Sequence, residues 1–411
     1  MQIFEGILDT ASNHIFLVIS LLILLVILIW LKAIQVNEMK LYHDLESTHL
    51  FPALQNQNFR VLKYKQSYLL FHRLLQSLFH ALFERCFRDS SIRFINEIFE
   101  FREGGTVAID WVNVLPSMDD HKPLLIISPG FSGDKTSAYM YCIYKKAIND
   151  GYYPVVISFE GSSGRPLSVI LTLSFKYLQH PRIYKGWSGE DIQEPLEYIY
   201  ERYCIDQKGE RIRQVFFLAI SFSGTILTHY LGKEGSEHKI ITAAASVGTQ
   251  QRQWISNITL KKSFCGQTKK IFGLQLRSIF AENVDMLQDH FETEHNIDLP
   301  YYIQQNRGID QYTLLIAKMN GFEDMDEYYY RVSMIHSIPK VRVPMFYIYA
   351  RDDPVIGYDH IDFEACQQNP YVLVGLTKRG AHVCHVESVI KPSMWFAKPA
   401  IEFLNSFRVD Y

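Results

Sequence analysis

A succession of short, almost wholly apolar runs constrains this chain more than any other feature: LLIISPG from Leu124, YPVVISFEG from Tyr153, VFFLAIS from Val215, ITAAASVG from Ile241, VPMFYIYARDD from Val343 and YVLVGLT from Tyr371. A strand with one wet face alternates polar and apolar residues, whereas unbroken apolar runs of strand length require burial on both faces. Helical or loop-like segments separate the runs, so the chain reads as α/β, a mostly parallel central sheet with helices on both faces. FREGGTVAIDWV, residues 101–112, places Gly104 and Gly105 at a turn and predicts a small antiparallel entry to that sheet. The rhythm breaks at residues 251–337, where MLQDHFETEHNIDLPYYIQQ and TLLIAKMNGFEDMDEYYYRVS predict a mainly helical insertion over one rim of the sheet, as a lid. With 411 residues and 48% apolar content the chain has enough material for one large α/β domain or two modest ones.

Ahead of the strands, Ile15 to Leu31 runs without a charge and would give about 25 Å of helix, at the short end for a bilayer. A cleaved signal peptide starts with a basic region and ends in small residues; this segment follows Glu5 and Asp9 and ends in bulky side chains, so the expectation is a retained signal-anchor. Lys32 and Lys40 follow the span and no lysine or arginine precedes it, which predicts a single-pass endomembrane protein with its large domain in the cytosol. The expected organisation is an anchor over 1–34, a membrane-proximal helical segment over 35–94 and the α/β domain over 95–411. Within the middle segment, Leu70, Leu74, Leu78 and Leu82 recur at helical spacing, predicting a helix packed on the domain, with a membrane-surface role as the alternative.

Formal net charge is −3 with both signs spread along the chain, so no basic face points to nucleic acid. The 6 cysteines include no CxxC pair and are too scattered for a disulfide framework.

The run ending at Ser221 continues as FSGTILTHY, a strand-to-helix join with a serine at the turn. A nucleophilic serine at such an elbow needs small neighbours two positions away on each side, which Ala219 and Ser223 supply, with Gly224 adding room. Ser223 is the competing hydroxyl, one step into the helix, where it could bond back to the main chain. Other strand ends complete a constellation at the carboxyl edge of the sheet. ISPGFSGDKTS offers the N–H of Phe131, and the elbow that of Phe222, as an oxyanion pair. ARDDP offers Asp353, with Asp352 beside it, to orient a histidine, and TKRGAHVCHVE offers His382, with His385 as its neighbour. The expected catalytic set is Ser221, Asp353 and His382; Asp352 and His385 are expected to act on packing, surface charge or substrate fit. A phosphate loop is excluded because GxxxxGK[ST] is absent, and a metal at His382, His385 and Glu387 lacks HExxH spacing, so neither metal nor organic cofactor is expected.

SPGFSGDKTSAY, AISFSGTILTHYLGKEG, KMNGFEDMDEYYYRVS, VPMFYIYARDDPV and LTKRGAHVCHVE together resemble the membrane-anchored α/β-hydrolase-domain lipases related to YheT-like esterases and yeast ethanol acyltransferases, over roughly residues 95–405. The resemblance implies the α/β-hydrolase fold and maps nucleophile, acid and histidine onto Ser221, Asp353 and His382. Where the family has glycine before the serine, after it and before the histidine, this chain has Ala219, Ser223 and Ala381. It also implies a carboxylic ester hydrolase acting on lipid-like substrates, phospholipid or acylglycerol, through an acyl-enzyme. Acyl transfer to alcohols and a catalytically weak membrane scaffold are the alternatives. The implied partners are the ester substrate and the bilayer, with no nucleic acid.

Overall fold

The computed structural model describes residues 14–28, 37–102, 104–131, 133–158, 184–233, 240–306 and 308–409. Among the described residues the main sheet has nine strands: β1 (Lys40–Tyr42), β2 (Phe94–Glu100), β3 (Thr106–Val112), β4 (Leu124–Ser128), β5 (Tyr153–Ser158), β6 (Val215–Ile220), β7 (Ile241–Val247), β8 (Met345–Ala350) and β9 (Val372–Thr377). Their spatial order is β1-β9-β8-β7-β6-β4-β5-β3-β2. Neighbours from β5 through β4, β6, β7 and β8 to β9 are parallel, and the antiparallel pairs lie at the two edges, β1 on β9 and β2 on β3 on β5. Each apolar run of the sequence is therefore a central strand or contains one.

Both faces of the sheet are covered, which is why the strands carry no alternation. Phe217 and Ala219 of β6 enter one core, while Phe216, Leu218 and Ile220 enter the other. Helices α1 (Ala138–Asn149) and α10 (Ala397–Asn405) close the second face. Helices α2 (Glu190–Tyr203) and α3 (Phe222–Leu231) close the first, together with the insertion, whose helices are α4 (Gln253–Lys262), α5 (Gln267–Glu282), α6 (Val284–His295), α7 (Leu299–Gln305), α8 (Ile309–Met319) and α9 (Met325–Val332). The insertion is helical as its sequence predicts, and its Phe280, Phe291 and Tyr312 side chains pack into the core of that face.

Residues 37–94 contribute strand as well as helix, since β1 pairs with β9 through Lys40–Leu376 and Tyr42–Val374. The helix Arg73–Leu82 packs on the domain, but only the first member of the leucine repeat, Leu70 just ahead of it, is buried there: Leu70, Leu75 and Phe79 meet Ala381, Cys384 and Val386, while Leu74, Leu78 and Leu82 are exposed.

The expected membrane anchor is corrected. Residues 14–28 are helical and exposed throughout. Among the described residues no helix is long and apolar enough to cross a membrane. The single-pass endomembrane location and the cytosolic orientation inferred from it fall with the anchor. The remainder of the expected span, residues 29–31, and Lys32 lie outside the described residues.

Candidate active site

β6 ends at Ile220 and α3 begins at Phe222, leaving Ser221 alone at the join with φ 56° and ψ −123°. A residue with a Cβ occupies this conformation at a cost of about 1–3 kcal/mol and stays there only if its surroundings hold it. The hold is visible. Its N–H donates to Val247 O at 2.7 Å, and its carbonyl accepts from Gly224 N and Thr249 Oγ1, both at 3.0 Å. Close approach is secured by glycines: a Cβ on Gly130 would stand 3.2 Å from Ser221 Cβ, and one on Gly224 would stand 2.0 Å from both Ser246 Oγ and Thr249 Oγ1. Ala219, where the resemblance has glycine, fits its methyl into the core with no exposure.

The Ser223 hydroxyl is committed elsewhere. It is fully buried, accepts the Ile220 N–H at 2.8 Å and lies 2.8 Å from the carbonyls of Ser128 and Ile220, either of which can take its single hydrogen. It thus ties the end of β6 to the end of β4.

His382 lies on the connection after β9, and Asp353 on the connection after β8. The His382 ring bridges Ser221 and Asp353: Nε2 is 3.0 Å from Ser221 Oγ and Nδ1 is 2.8 Å from Asp353 Oδ2. The other carboxylate oxygen of Asp353 accepts the N–H groups of Val355 at 2.8 Å and Ile356 at 3.1 Å, so the carboxylate is gripped from behind while it faces the ring. Side-chain exposures of 16% for His382 and 2% for Asp353 leave the imidazole reachable and its partner dry.

The neighbouring acid and histidine have different duties. Asp352 Oδ1 accepts the Ala381 N–H at 3.0 Å, and Oδ2 lies 3.7 Å from Arg379 Nη1. Burial pushes the Asp352 carboxyl up to about 6, with the Asp353 charge adding and the Ala381 N–H, Arg379 and Arg73 opposing. His385 is buried, its Nε2 is 3.0 Å from Thr377 Oγ1, and burial lowers its pKa to about 3, so it is a neutral core side chain. The three residues weighed as metal ligands do not converge: the nitrogens of His382 face Ser221 and Asp353, His385 faces Thr377, and Glu387 pairs with Lys398 at 2.6 Å.

The connection bearing His382 is itself strained, with Ala381, Val383 and His385 at φ 48°, 54° and 31°. Gly380 is needed because a Cβ there would lie 2.3 Å from His385 Nε2. Gly248 is a residue the sequence reading passed over. It has φ 66°, and a Cβ would lie 2.9 Å from Val383 Cγ2 and 3.3 Å from His382 Cε1, so the end of β7 runs directly under the imidazole. Its signal was the glycine closing ITAAASVG, followed by the threonine that holds Ser221.

The two candidate oxyanion residues flank the serine. Phe131 follows Gly130 at the end of β4, and Phe222 opens α3; their rings meet edge to face at 6.4 Å. The Gly130 N–H is taken by the Tyr139 hydroxyl at 3.0 Å, which fixes the backbone just before Phe131, while the first turn of a helix leaves the N–H of Phe222 without an intrahelical acceptor. A cavity of about 110 Å³ opens over Ser221, walled by Phe131, Phe222 and the insertion residues Phe272, Leu276, Ile316 and Tyr328.

No protein-family model matches the sequence. Curated relatives do. The chain is 26% identical over 294 residues to the monoacylglycerol lipase of Saccharomyces cerevisiae, the match covering 70% of this chain and 60% of that protein. It is 24% identical over 304 residues to the phospholipase ABHD3 of Homo sapiens, covering 72% and 68%. It is 23% identical over 309 residues to the YheT protein of Escherichia coli, covering 75% and 84%. The chain has the α/β-hydrolase fold. The match spans less than two thirds of the yeast lipase, so that relative is similar to it over a part only.

Proposed function

We propose that the chain is a serine hydrolase that cleaves acyl esters of lipid-like substrates, phospholipid or acylglycerol, through an acyl-enzyme on Ser221. The observation that carries this reading is the continuous hydrogen-bonded line from Ser221 Oγ through the His382 ring to Asp353, opening into an apolar cavity. His382 Nε2 takes the serine proton as Oγ attacks the ester carbonyl, and Asp353 holds the ring and stabilises its charged form. The N–H groups of Phe131 and Phe222 receive the oxyanion. The C–O bond of the tetrahedral intermediate breaks as His382 returns the proton to the departing alcohol, and water activated by the same imidazole releases the fatty acid. An alcohol in place of that water gives acyl transfer.

The aromatic and aliphatic walls of the cavity support an acyl chain as its occupant. The bilayer enters as the surface where a lipid ester is met, a role favoured by the exposed Leu74, Leu78 and Leu82 on the helix that packs under the His382 connection. The scaffold reading is disfavoured by the retained strain at Ser221 and at 381–385, since a chain freed from chemistry has no need of either. The test is covalent labelling by a fluorophosphonate: the wild-type protein should label and Ser221→Ala should not. Absence of labelling in folded wild-type protein would leave the scaffold reading in its place.

A further inference from the structure

The cavity over Ser221 has a second wall of different chemistry, made by Gln250, Gln253, Ser256 and Asn257. Residues 253, 256 and 257 share one face of α4, and Gln250 lies in the turn that leads into it. Among the described residues, none lining the cavity is charged. The wall is nevertheless hungry for hydrogen bonds. Among the described residues, the buried hydroxyl of Ser256, itself 5% exposed, has no partner, and neither has the buried Gln253 Oε1. Gln250, beside them, is 6% exposed, and its carbonyl accepts from Thr225 Oγ1. Each buried polar group left unpaired costs about 1–3 kcal/mol, so two in one wall mark a place where a polar group belongs.

The position of the wall says which part of a substrate that group comes from. Thr249 Oγ1 holds the Ser221 carbonyl, and Gly248 lies against the His382 ring. Gln250 therefore continues a stretch of chain that runs beside both the serine and the histidine, within reach of an alcohol leaving from between them. The candidate oxyanion residues Phe131 and Phe222 follow β4 and β6 instead.

Resting on the hydrolase reading above, we propose that Gln250, Gln253 and Ser256 form a subsite for the hydroxyl groups of the leaving alcohol, an uncharged polyol such as glycerol. A hydroxyl donates to Gln253 Oε1, and Ser256 and the Gln250 amide each supply donor and acceptor. An uncharged wall solvates a polyol well and a phosphodiester poorly, since no cation among the described lining residues can pair with a phosphate.

The test compares a monoacylglycerol with the ethyl ester of the same fatty acid, which keeps the acyl chain and removes the hydroxyls. Wild-type kcat/KM should favour the glycerol ester. Gln250→Leu and Ser256→Ala should each lower kcat/KM on the glycerol ester by about 10-fold, one hydrogen bond's worth, and leave the ethyl ester within about 3-fold. Ser256→Ala removes one oxygen and keeps the helix, so it serves if Gln250→Leu does not fold. Equal losses on both esters, unchanged selectivity, or a wild type indifferent to the hydroxyls would overturn the subsite while fluorophosphonate labelling of Ser221 persists. Loss of labelling and of both activities in the wild type would instead be failure of the hydrolase reading itself.

Discussion

Asp352→Asn should make this protein more stable at neutral pH and no more stable in acid. The carboxyl titrates at about 6 in the fold against an ordinary value of 3.8, so the folded state binds the proton more tightly than the unfolded chain and ionisation works against folding. The charges facing it are Arg379 and Arg73, which favour its ionised form, and Asp353, which opposes it; Tyr64 and Cys384 lie close enough to feel its charge. A difference of about 2 units corresponds to about 3 kcal/mol, and the 10% exposure of the side chain leaves little solvent to screen it. The cost is absent below pH 3.8, grows between 3.8 and 6, and is complete above 6. Asparagine keeps an oxygen for the Ala381 N–H and carries no charge, so it escapes the cost at every pH.

Thermal unfolding followed from pH 4 to pH 8 reads this out. With unfolding entropy scaling by chain length, the variant's Tm should lie about 2–4 °C above wild type at pH 8, with the gap closing as pH falls through 6 towards 4. Parallel pH curves, or a variant less stable than wild type at pH 8, would refute the reasoning. Asp352→Ala, which removes the acceptor too, should loosen the connection that carries His382 and slow fluorophosphonate labelling by about 10-fold or more, with Asp352→Asn restoring most of the rate.

Ser221→Ala should abolish esterase turnover, by up to about a million-fold where the assay has the range, whereas Ser223→Ala should keep turnover and lower stability by about 1–3 kcal/mol, because it unpairs the Ile220 N–H; turnover and denaturant unfolding separate the two. Asp353→Asn and His382→Ala should collapse acylation of Ser221 in protein that is still folded, measured as the labelling rate. His385→Ala should act through stability, losing the ring packed between Tyr64 and Trp395, with a clear fall in Tm and labelling retained in the folded fraction. Gly224→Ala should fail to fold or unfold far below wild type, since its methyl has 2.0 Å to two buried hydroxyl oxygens; a near-wild-type Tm would show that the elbow is looser than described.

The sequence by itself determined the sheet and its burial. Apolar runs without alternation can only be strands covered on both faces, and the runs at Leu124, Tyr153, Val215, Ile241, Val343 and Tyr371 all became strands β4 to β9. The residue types for acyl chemistry were also legible, because each stood at a strand end where an α/β sheet gathers its loops. The sequence also ranked near neighbours, Ser221 over Ser223, Asp353 over Asp352 and His382 over His385, by position at the strand ends and by resemblance; what it could not supply were the φ/ψ values and the partners up to 161 residues away that separate them, such as the Ser221–His382 contact. The same limit applied to the helix Arg73–Leu82, whose leucine repeat announced an apolar face while tertiary packing used Leu75 and Phe79 instead. Hydropathy alone likewise suggested a membrane span at Ile15–Leu31, whereas among the described residues no helix is long and apolar enough to cross a membrane. Pattern reports which residues seek burial; only the folded chain decides which of two adjacent side chains reaches a given partner, because consecutive residues on a strand end or turn point different ways.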